Sequence, residues 1–285
     1  MKSSLLSILL LSILAVAPSA YAQVRFSCDG TEKVSSRHCL YVNAAKKTNA
    51  RNFTFRTVNE AMRFAERNAS DTLWTDIYIE PSVYWIDDPD DPAVRRPNPG
   101  SNIPFGFEAT LSRARLIGLS HDPQDVVLAS SRGQTQGAEG NFTMLHITGN
   151  DFEASNITFG NYCNVDLIYP RNPRLNRPKR KEAIVQAQLI ICDGDNYRAE
   201  NCRFISRLNL CPFAGAQHAD FHDCYFECTD DALCGTATYR QCRFTFFSSK
   251  PFYTTYSQGV TFIDCDIHSK VRGTQYLIAG VRGGN

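Results

Sequence analysis

The chain has 285 residues, long enough to bury one sizeable core. Its 30 Lys and Arg nearly cancel its 29 Asp and Glu, so no global field points toward nucleic acid or an anionic membrane surface. Its 11 cysteines raise the question of a disulfide framework.

In chain order, Lys2, the apolar run Leu5 to Val16 and the small residues Ala20-Tyr21-Ala22 predict an export signal over 1–22, with the mature chain starting near Gln23. The alternative is a membrane anchor, but the run is shorter than the ~20 apolar residues a span needs. No later stretch is apolar enough to cross a bilayer, so the mature chain is expected in the medium, the periplasm or at the cell surface, as a monomer and as one domain over 23–285. Residues 23–50 read as an irregular polar cap, in which Cys28 and Cys39 form the best candidate disulfide. Thr57 to Asn68 predicts a short helix: Val58, Ala61, Met62 and Ala65 recur at helical spacing, and Thr57 with Glu60 fits a capping box. Asp76 to Pro81 and Ser82 to Trp85 read as strands, and Asp87 to Ser101, rich in Asp, Pro and Gly, as a loop. Strands are expected over Ala114 to Leu119, Val126 to Leu128, Met144 to Ile147 and Ala154 to Phe159, with a loop over 133–140 and a basic, proline-bearing excursion over 163–181.

The second half carries a repeated phrase. Asn201-Cys202-Arg203-Phe204 returns as Asp223-Cys224-Tyr225-Phe226, Gln241-Cys242-Arg243-Phe244 and Asp264-Cys265-Asp266-Ile267, and Asn156-Ile157-Thr158-Phe159 is an earlier form without cysteine. Successive cysteines lie 22, 18 and 23 residues apart. A strand period inside a coil-sized repeat is the mark of a solenoid, whose units bury their apolar faces only by stacking. Cys and Phe, two apart, share one face of a strand. The expected interior is a ladder of unpaired thiols beside a ladder of Phe204, Phe226, Phe244 and Ile267, with the polar residue before each Cys outside or at a turn. This predicts an all-β chain, a right-handed parallel β-helix with a short N-terminal helix. A β-sandwich would account for the alternation but not for the register of the Cys-x-Phe phrase. Zinc is not expected, since no Cys-x2-Cys pair has matching His spacing.

Several stretches resemble the pectin methylesterases, a family of pectin-lyase-like solenoids, and the likeness spans most of the mature chain. Phe55 to Ala61 resembles the family's opening helix, Ile77 to Tyr84 the following strand and turn, and Asp151 to Asn161 an early coil. Gln186 to Leu189, Gly194-Asp195 and Asn201 to Phe204 are similar to its central coils, and Asp230 to Ala237 to its catalytic segment. The resemblance implies hydrolysis of methyl esters of galacturonan in plant cell-wall pectin without metal or other cofactor. It implies an Asp nucleophile at Asp231 and an oxyanion-binding glutamine at Gln186. The family's acid/base Asp falls on Asn209, which neither accepts nor releases a proton at working pH. Asp230 is the substitute carboxylate only if a turn or bulge brings it to the same face as Asp231. Lys250, in an excursion over 248–256, is a candidate holder of a substrate carboxylate, and Arg282 is the nearest counterpart of the family's late arginine. The chain stops where such proteins continue for further coils, so the domain is read as complete or truncated at its C-terminal end.

Two other functions stay open at this stage. One is a polysaccharide lyase with calcium held by carboxylates such as Asp220, Asp223, Asp230 and Asp231; the other is a pectin-binding helix without catalysis. Blander readings apply elsewhere: Arg171, Arg174, Arg177 and Lys179-Arg180-Lys181 as a solvated loop that also neutralises uronates, Trp74 and Trp85 as core, His218 and His222 as surface. Tyr253 is a candidate for stacking on a sugar ring. Asn52, Asn68, Asn141 and Asn156 head glycosylation sequons, relevant only in a host that glycosylates them.

Overall fold

Each Cys-x-Phe phrase forms one corner of a coil. The computed structural model describes residues 22–91, 103–133, 136, 138–180, 187–207, 215–228, 236–247, 254–256, 259–274 and 280–282. The expected export signal lies outside them, and among them no helix is long and apolar enough to cross a membrane.

The chain opens with a hairpin, β1 (Arg25–Cys28) and β2 (Thr31–Val34), followed by β3 (Cys39–Val42), β4 (Thr54–Phe55) and helix α1 (Val58–Arg67). Then come β5 (Thr75–Ile79), β6 (Ser82–Asp87), β7 (Ile103–Ala109), β8 (Ala114–Gly118), β9 (Val126–Ser130), β10 (Ala138–Ile147), β11 (Phe152–Ser155) and β12 (Thr158–Asn161). The remaining coils use β13 (Ala187–Cys192), β14 (Tyr197–Glu200), β15 (Arg203–Ile205), β16 (Ala219–His222), β17 (Tyr225–Cys228), β18 (Ala237–Arg240), β19 (Arg243–Phe246), β20 (Thr254–Tyr256), β21 (Val260–Ile263), β22 (Asp266–Ser269) and β23 (Gly280–Arg282).

These strands stack into three parallel sheets. A nine-stranded sheet runs β21-β18-β16-β14-β11-β8-β5-β3-β4, a seven-stranded sheet runs β22-β19-β17-β15-β12-β9-β6, and a three-stranded sheet runs β13-β10-β7. The neighbours of each strand lie one coil away in sequence, which is the topology of a parallel β-helix, as the repeat predicts. Helix α1 closes the N-terminal end, with Val58, Ala61, Met62 and Ala65 buried and the Thr57–Glu60 capping box formed.

The polar residue before each cysteine is a one-residue corner. Asn156, Asn201, Asp223, Gln241 and Asp264 all have positive φ, between 47° and 59°. Each joins a strand of the nine-stranded sheet to one of the seven-stranded sheet, which is why Ala154 to Phe159 forms two strands rather than one. Asn and Asp tolerate the left-handed conformation because their short polar side chains hydrogen-bond locally. Here the bonds also run between coils: Asn201 Nδ2 donates to Asn156 Oδ1 at 2.8 Å.

Because the corner repeats, the residues after it stack. Cys202, Cys224 and Cys242 are buried and unpaired, and Cys265 is half-buried at the last of these rungs. Each thiol donates to the carbonyl two residues before it, Cys224 to His222 and Cys242 to Arg240 at 3.3 Å, and these two also reach the preceding coil, at Ala199 and Phe221. The phenyl ladder is Phe159–Phe204–Phe226–Phe244, with centroids 5.4, 5.1 and 4.8 Å apart and planes within 11°; Ile267, expected as an interior member, follows Phe244 in register but is 37% exposed. A second ladder, Phe221–Tyr239–Phe262, stacks at 5.0 and 5.2 Å and meets the first edge to face. Parallel stacks crossed by T-shaped contacts are the geometry that the aromatic quadrupole favours.

Several expectations are corrected. Residues 23–50 are not irregular: they hold β1, β2 and β3, and β3 pairs with β5 in the nine-stranded sheet because Leu40 and Val42 alternate inward. Strand β7 is unforeseen, and β10 begins at Ala138 inside a stretch read as a loop. Its pairing with β13 runs from Phe142 and with β7 from Thr143, after an irregularity that takes up Gly140 and Asn141. Cys28 and Cys39 are free thiols, although both pack against the cluster of Phe26, Tyr41 and Tyr78. Trp74 and Trp85 are only half-buried; each carries a guanidinium on its face, Arg115 at 4.1 Å and Arg177 at 3.9 Å.

Two outcomes test this account. Asp223→Ala places a Cβ-bearing residue without local hydrogen bonds at φ 48° and costs about 1–2 kcal/mol in urea unfolding, whereas Asp223→Gly leaves the midpoint nearly unchanged. Burial pushes the Cys39 thiol up to about 11 from an ordinary value near 9.0. Above pH 9 the folded state therefore binds more protons than the unfolded chain, and the stability this group contributes is lost between about pH 9 and 11. The urea midpoint falls over that window, and Cys39→Ala flattens part of the fall; identical curves for the two proteins would count against it.

Candidate active site

The segments that carry the sequence-derived catalytic residues leave one edge of the seven-stranded sheet at successive rungs. Asn209 follows β15, Asp230 and Asp231 follow β17, and Lys250 follows β19, and these three strands are direct neighbours. Ile205 pairs with Glu227 in register, and Asn209 and Asp231 each lie 4 residues beyond these partners. Gln186 immediately precedes β13 in the three-stranded sheet. Gln186, Asn209, Asp230, Asp231 and Lys250 lie outside the described residues, as does Tyr253. Arg282 ends β23, paired in register with Tyr256.

The described residues at this edge form a layer of cross-rung ties. Arg207 is the last residue before the Asn209 segment. Its Nε donates to Glu227 Oε1 at 2.8 Å, on the strand that leads to Asp231, and its guanidinium lies 3.8 Å above the Phe247 ring, at the exit toward Lys250. One side chain thus joins the exits of three segments. Ser206, fully buried beside it, donates its N–H to the Glu227 carbonyl at 3.0 Å.

Two rungs upstream the ties are buried. Arg132, 2% exposed, donates Nε and Nη2 to the two carboxylate oxygens of Asp87 at 2.7 and 3.0 Å, 45 residues away in sequence. Its Nη1 donates to the Gln136 carbonyl, and its own carbonyl accepts from Asn161 Nδ2 at 3.0 Å. A fork-to-fork pair of this kind satisfies both charges where water cannot. Cys163 is bonded to the same group, its thiol to Gln136 Oε1 at 3.4 Å, and burial pushes that thiol up to about 11. Neither Arg132 nor Arg207 stands out in the sequence, because the residues that make them informative are distant along the chain. The only available signal is that Arg207 and Glu227 flank equivalent strands.

The basic excursion is only partly the solvated loop expected: Arg174 and Lys179 are exposed, Lys181 lies outside the described residues, and three of its arginines are ion-paired. Arg177 pairs with buried Asp88 at 2.6 Å, Arg180 with Asp90 at 2.7 Å and with the Ser131 carbonyl, and Arg171 with Asp125 at 3.3 Å. These cations are committed to acidic partners on the solenoid and are not available to neutralise a bound polymer. They hold the excursion as a wall beside the outer face of the seven-stranded sheet, where a groove of about 340 Å³ is lined by Tyr162, Ile168, Arg203, Arg207 and Glu227. Burial pushes the Tyr162 phenol above its ordinary range, with Arg203 opposing. A Cβ on Gly160 would come within 2.5 Å of the Tyr162 ring, so glycine there lets the ring lie flat on the sheet.

Asp220 and Asp223 sit on opposite sides of a strand end, Asp220 near Arg240 and Asp223 at a corner. Among the described residues no group of three His, Cys, Asp or Glu side chains is arranged to hold a metal ion. His218 and His222 are exposed, paired with Asp195 and Glu200.

No family model matches the sequence, and no curated protein matches it. Solved structures do. The pectin methylesterase from Aspergillus niger is similar with a TM-score of 0.59 and 14% identity, over 88% of this chain and 75% of that one. The pectin methylesterase from carrot is similar with a TM-score of 0.54 and 15% identity, over 81% of this chain and 63% of that one. A third is ybhc of Escherichia coli, at a TM-score of 0.54 and 13% identity, over 96% and 72%. The chain spans 66% of the length of the bacterial pectin methylesterase PemA. At such identities the likeness establishes the fold: this chain has the parallel β-helix of the pectin methylesterases.

The ties make a testable contrast. Arg132→Met strands Asp87 as a buried, unpaired charge and costs about 3–5 kcal/mol in denaturant unfolding. Arg180→Ala, at the rim, costs about 1 kcal/mol or less. Equal costs for the two would mean that the Arg132 pair is not shielded from water.

Proposed function

We propose that this chain is an exported, pectinesterase-like carbohydrate esterase that hydrolyses methyl esters of galacturonan in plant cell-wall pectin. In this reading Asp231 attacks the ester carbonyl, the negative charge that develops on the carbonyl oxygen is met by the Gln186 amide, and the intermediate collapses as the departing methoxide takes a proton from water and leaves as methanol. Water then hydrolyses the enzyme-bound acyl group and restores Asp231. Lys250 and Arg282 are assigned to the substrate carboxylates. Delivery outside the cytoplasm belongs to the same reading and rests on the signal-like first 22 residues.

The observation that carries it is register. Ile205 and Glu227 pair directly, and Asn209 and Asp231 follow each by the same number of residues. The solved structures named above share the scaffold, and three of those four are pectin methylesterases.

Asn209 also favours a second reading, a pectin-binding helix without turnover. A side-chain amide stabilises an oxyanion by donating a hydrogen bond, but it cannot protonate departing methanol. Methanol release from methyl-esterified pectin separates the two. The esterase reading expects slow release that Asp231→Asn lowers to background, and an increase of about 10²–10⁴-fold in Asn209→Asp, the range general acid–base catalysis supplies. Release unaffected by Asp231→Asn sinks the assignment of the nucleophile. Pectin binding with no release from wild type or Asn209→Asp leaves the second reading.

A further inference from the structure

Parallel register stacks the outward side chains of the nine-stranded sheet into rows. One row runs Asp76, Arg115, Glu153, Arg198, Asp220 and ends on two threonines, Thr238 and Thr261. Its charge alternates from Asp76 to Asp220, but the pairs are shared unevenly. Arg115 takes both Asp76, at 3.2 Å, and Glu153, at 2.7 Å, while Asp220 lies 3.6 Å from Arg240 in the adjacent row. Arg198 stands between Glu153 and Asp220 in register, is exposed, and has no hydrogen bond or ion pair with another described residue.

Two grooves meet at this arginine. One holds about 490 Å³ and the other about 420 Å³, and both are lined by Arg198 and Asp220. Together they cross β8, β11, β14, β16, β18 and β21, roughly 24 Å at the ~4.8 Å spacing of strands. The larger one is walled by amides and hydroxyls, including Asn196, Gln217 and Thr236. In its wall Thr236 Oγ1 has no hydrogen-bond partner among the described residues, and Asp220 Oδ1 has Arg240 Nε at 3.6 Å. A protein partner would call for aromatic or aliphatic anchors at the groove centre. The larger groove instead offers an arginine with no bonded partner among the described residues, a carboxylate that leans toward Arg240, and the amides and hydroxyls of Asn196, Gln217 and Thr238, a set that suits a sugar whose carboxylate meets Arg198.

We infer that the outer face of the nine-stranded sheet is a second glycan-binding groove, distinct from the candidate catalytic edge, that takes an acidic oligosaccharide. The uronate carboxylate makes a charge-assisted bond to Arg198, and ring hydroxyls bond to the exposed amides of Asn196 and Gln217 along the wall. The choice of galacturonate as the uronate rests on the proposed function; the groove and its unpaired arginine do not.

Calorimetric titration of the full chain with de-esterified hexagalacturonate tests it. The wild type is expected to show a site that Arg198→Ala weakens by about tenfold or more, the worth of one charge-assisted bond, and that Arg198→Lys retains in part. Thermal unfolding and methanol release from a short methyl-esterified oligomer are unchanged in both variants, because Arg198 is exposed and off the catalytic edge. Equal affinity and stoichiometry for wild type and Arg198→Ala overturn the inference, as does equal binding of an uncharged hexasaccharide. An Arg198-dependent site in a chain that releases no methanol leaves the groove standing and removes the esterase. Methanol release with no Arg198 effect does the reverse.

Discussion

A left-handed residue at the same corner of successive coils is the constraint from which the rest of this molecule follows. Asn156, Asn201, Asp223, Gln241 and Asp264 turn the chain from one sheet to the next without an insertion, so the strand after each corner starts at the same height in its coil. The unequal spacings of 22, 18 and 23 residues between cysteines are absorbed elsewhere, between the seven-stranded sheet and the next strand of the nine-stranded one. The solenoid is therefore rigid at one edge and variable at another. The variable edge is where segments 208–214, 229–235 and 248–253 depart, and it is the edge to which the catalytic residue types map.

Fixed corners make identical residues stack, and the interior exploits that. A thiol is small enough for the tight space behind a left-handed corner and still donates weakly to a carbonyl, so the Cys ladder fills volume without leaving a polar group unpaired. The rings beside it lie nearly parallel within a ladder and edge to face between ladders, an arrangement worth about 0.5–1.5 kcal/mol per pair beyond the burial itself. Adjacent rungs are already held by backbone pairing and by side-chain ties such as Asn201 to Asn156, so the ladder needs no disulfide. The free state of Cys202, Cys224 and Cys242 is in keeping with that.

Stacking also brings like charges close, and arginine is the residue that manages it. Arg132, Arg177 and Arg207 each bind an acidic partner on another coil, and Arg177 and Arg207 also cover an aromatic ring. The planar guanidinium allows both contacts at once. Where the surrounding carboxylates are already taken, as around Arg198, the same register leaves a cation facing solvent in a polar groove. Structural ties and an exposed binding feature are thus products of one repeat.

The sequence by itself determined the coil, the thiol and phenyl ladders, helix α1 with its cap, and the polar identity of the corners. All of these are local or periodic: they recur at a fixed interval or sit within four residues of one another. The tertiary structure decided what depends on partners far along the chain. Strand β10 starts earlier than its sequence suggests because β7 pairs with it from Ala138, the 163–180 excursion is pinned by Asp88, Asp90 and Asp125, and Asp87 meets Arg132 across 45 residues. The candidate site divides the same way. Its residue types are legible in the sequence, while the ties at its entrance, Arg207 with Glu227 and Phe247, exist only once three coils lie side by side, because a charge partner one rung away is some twenty residues distant in sequence and carries no periodic signature.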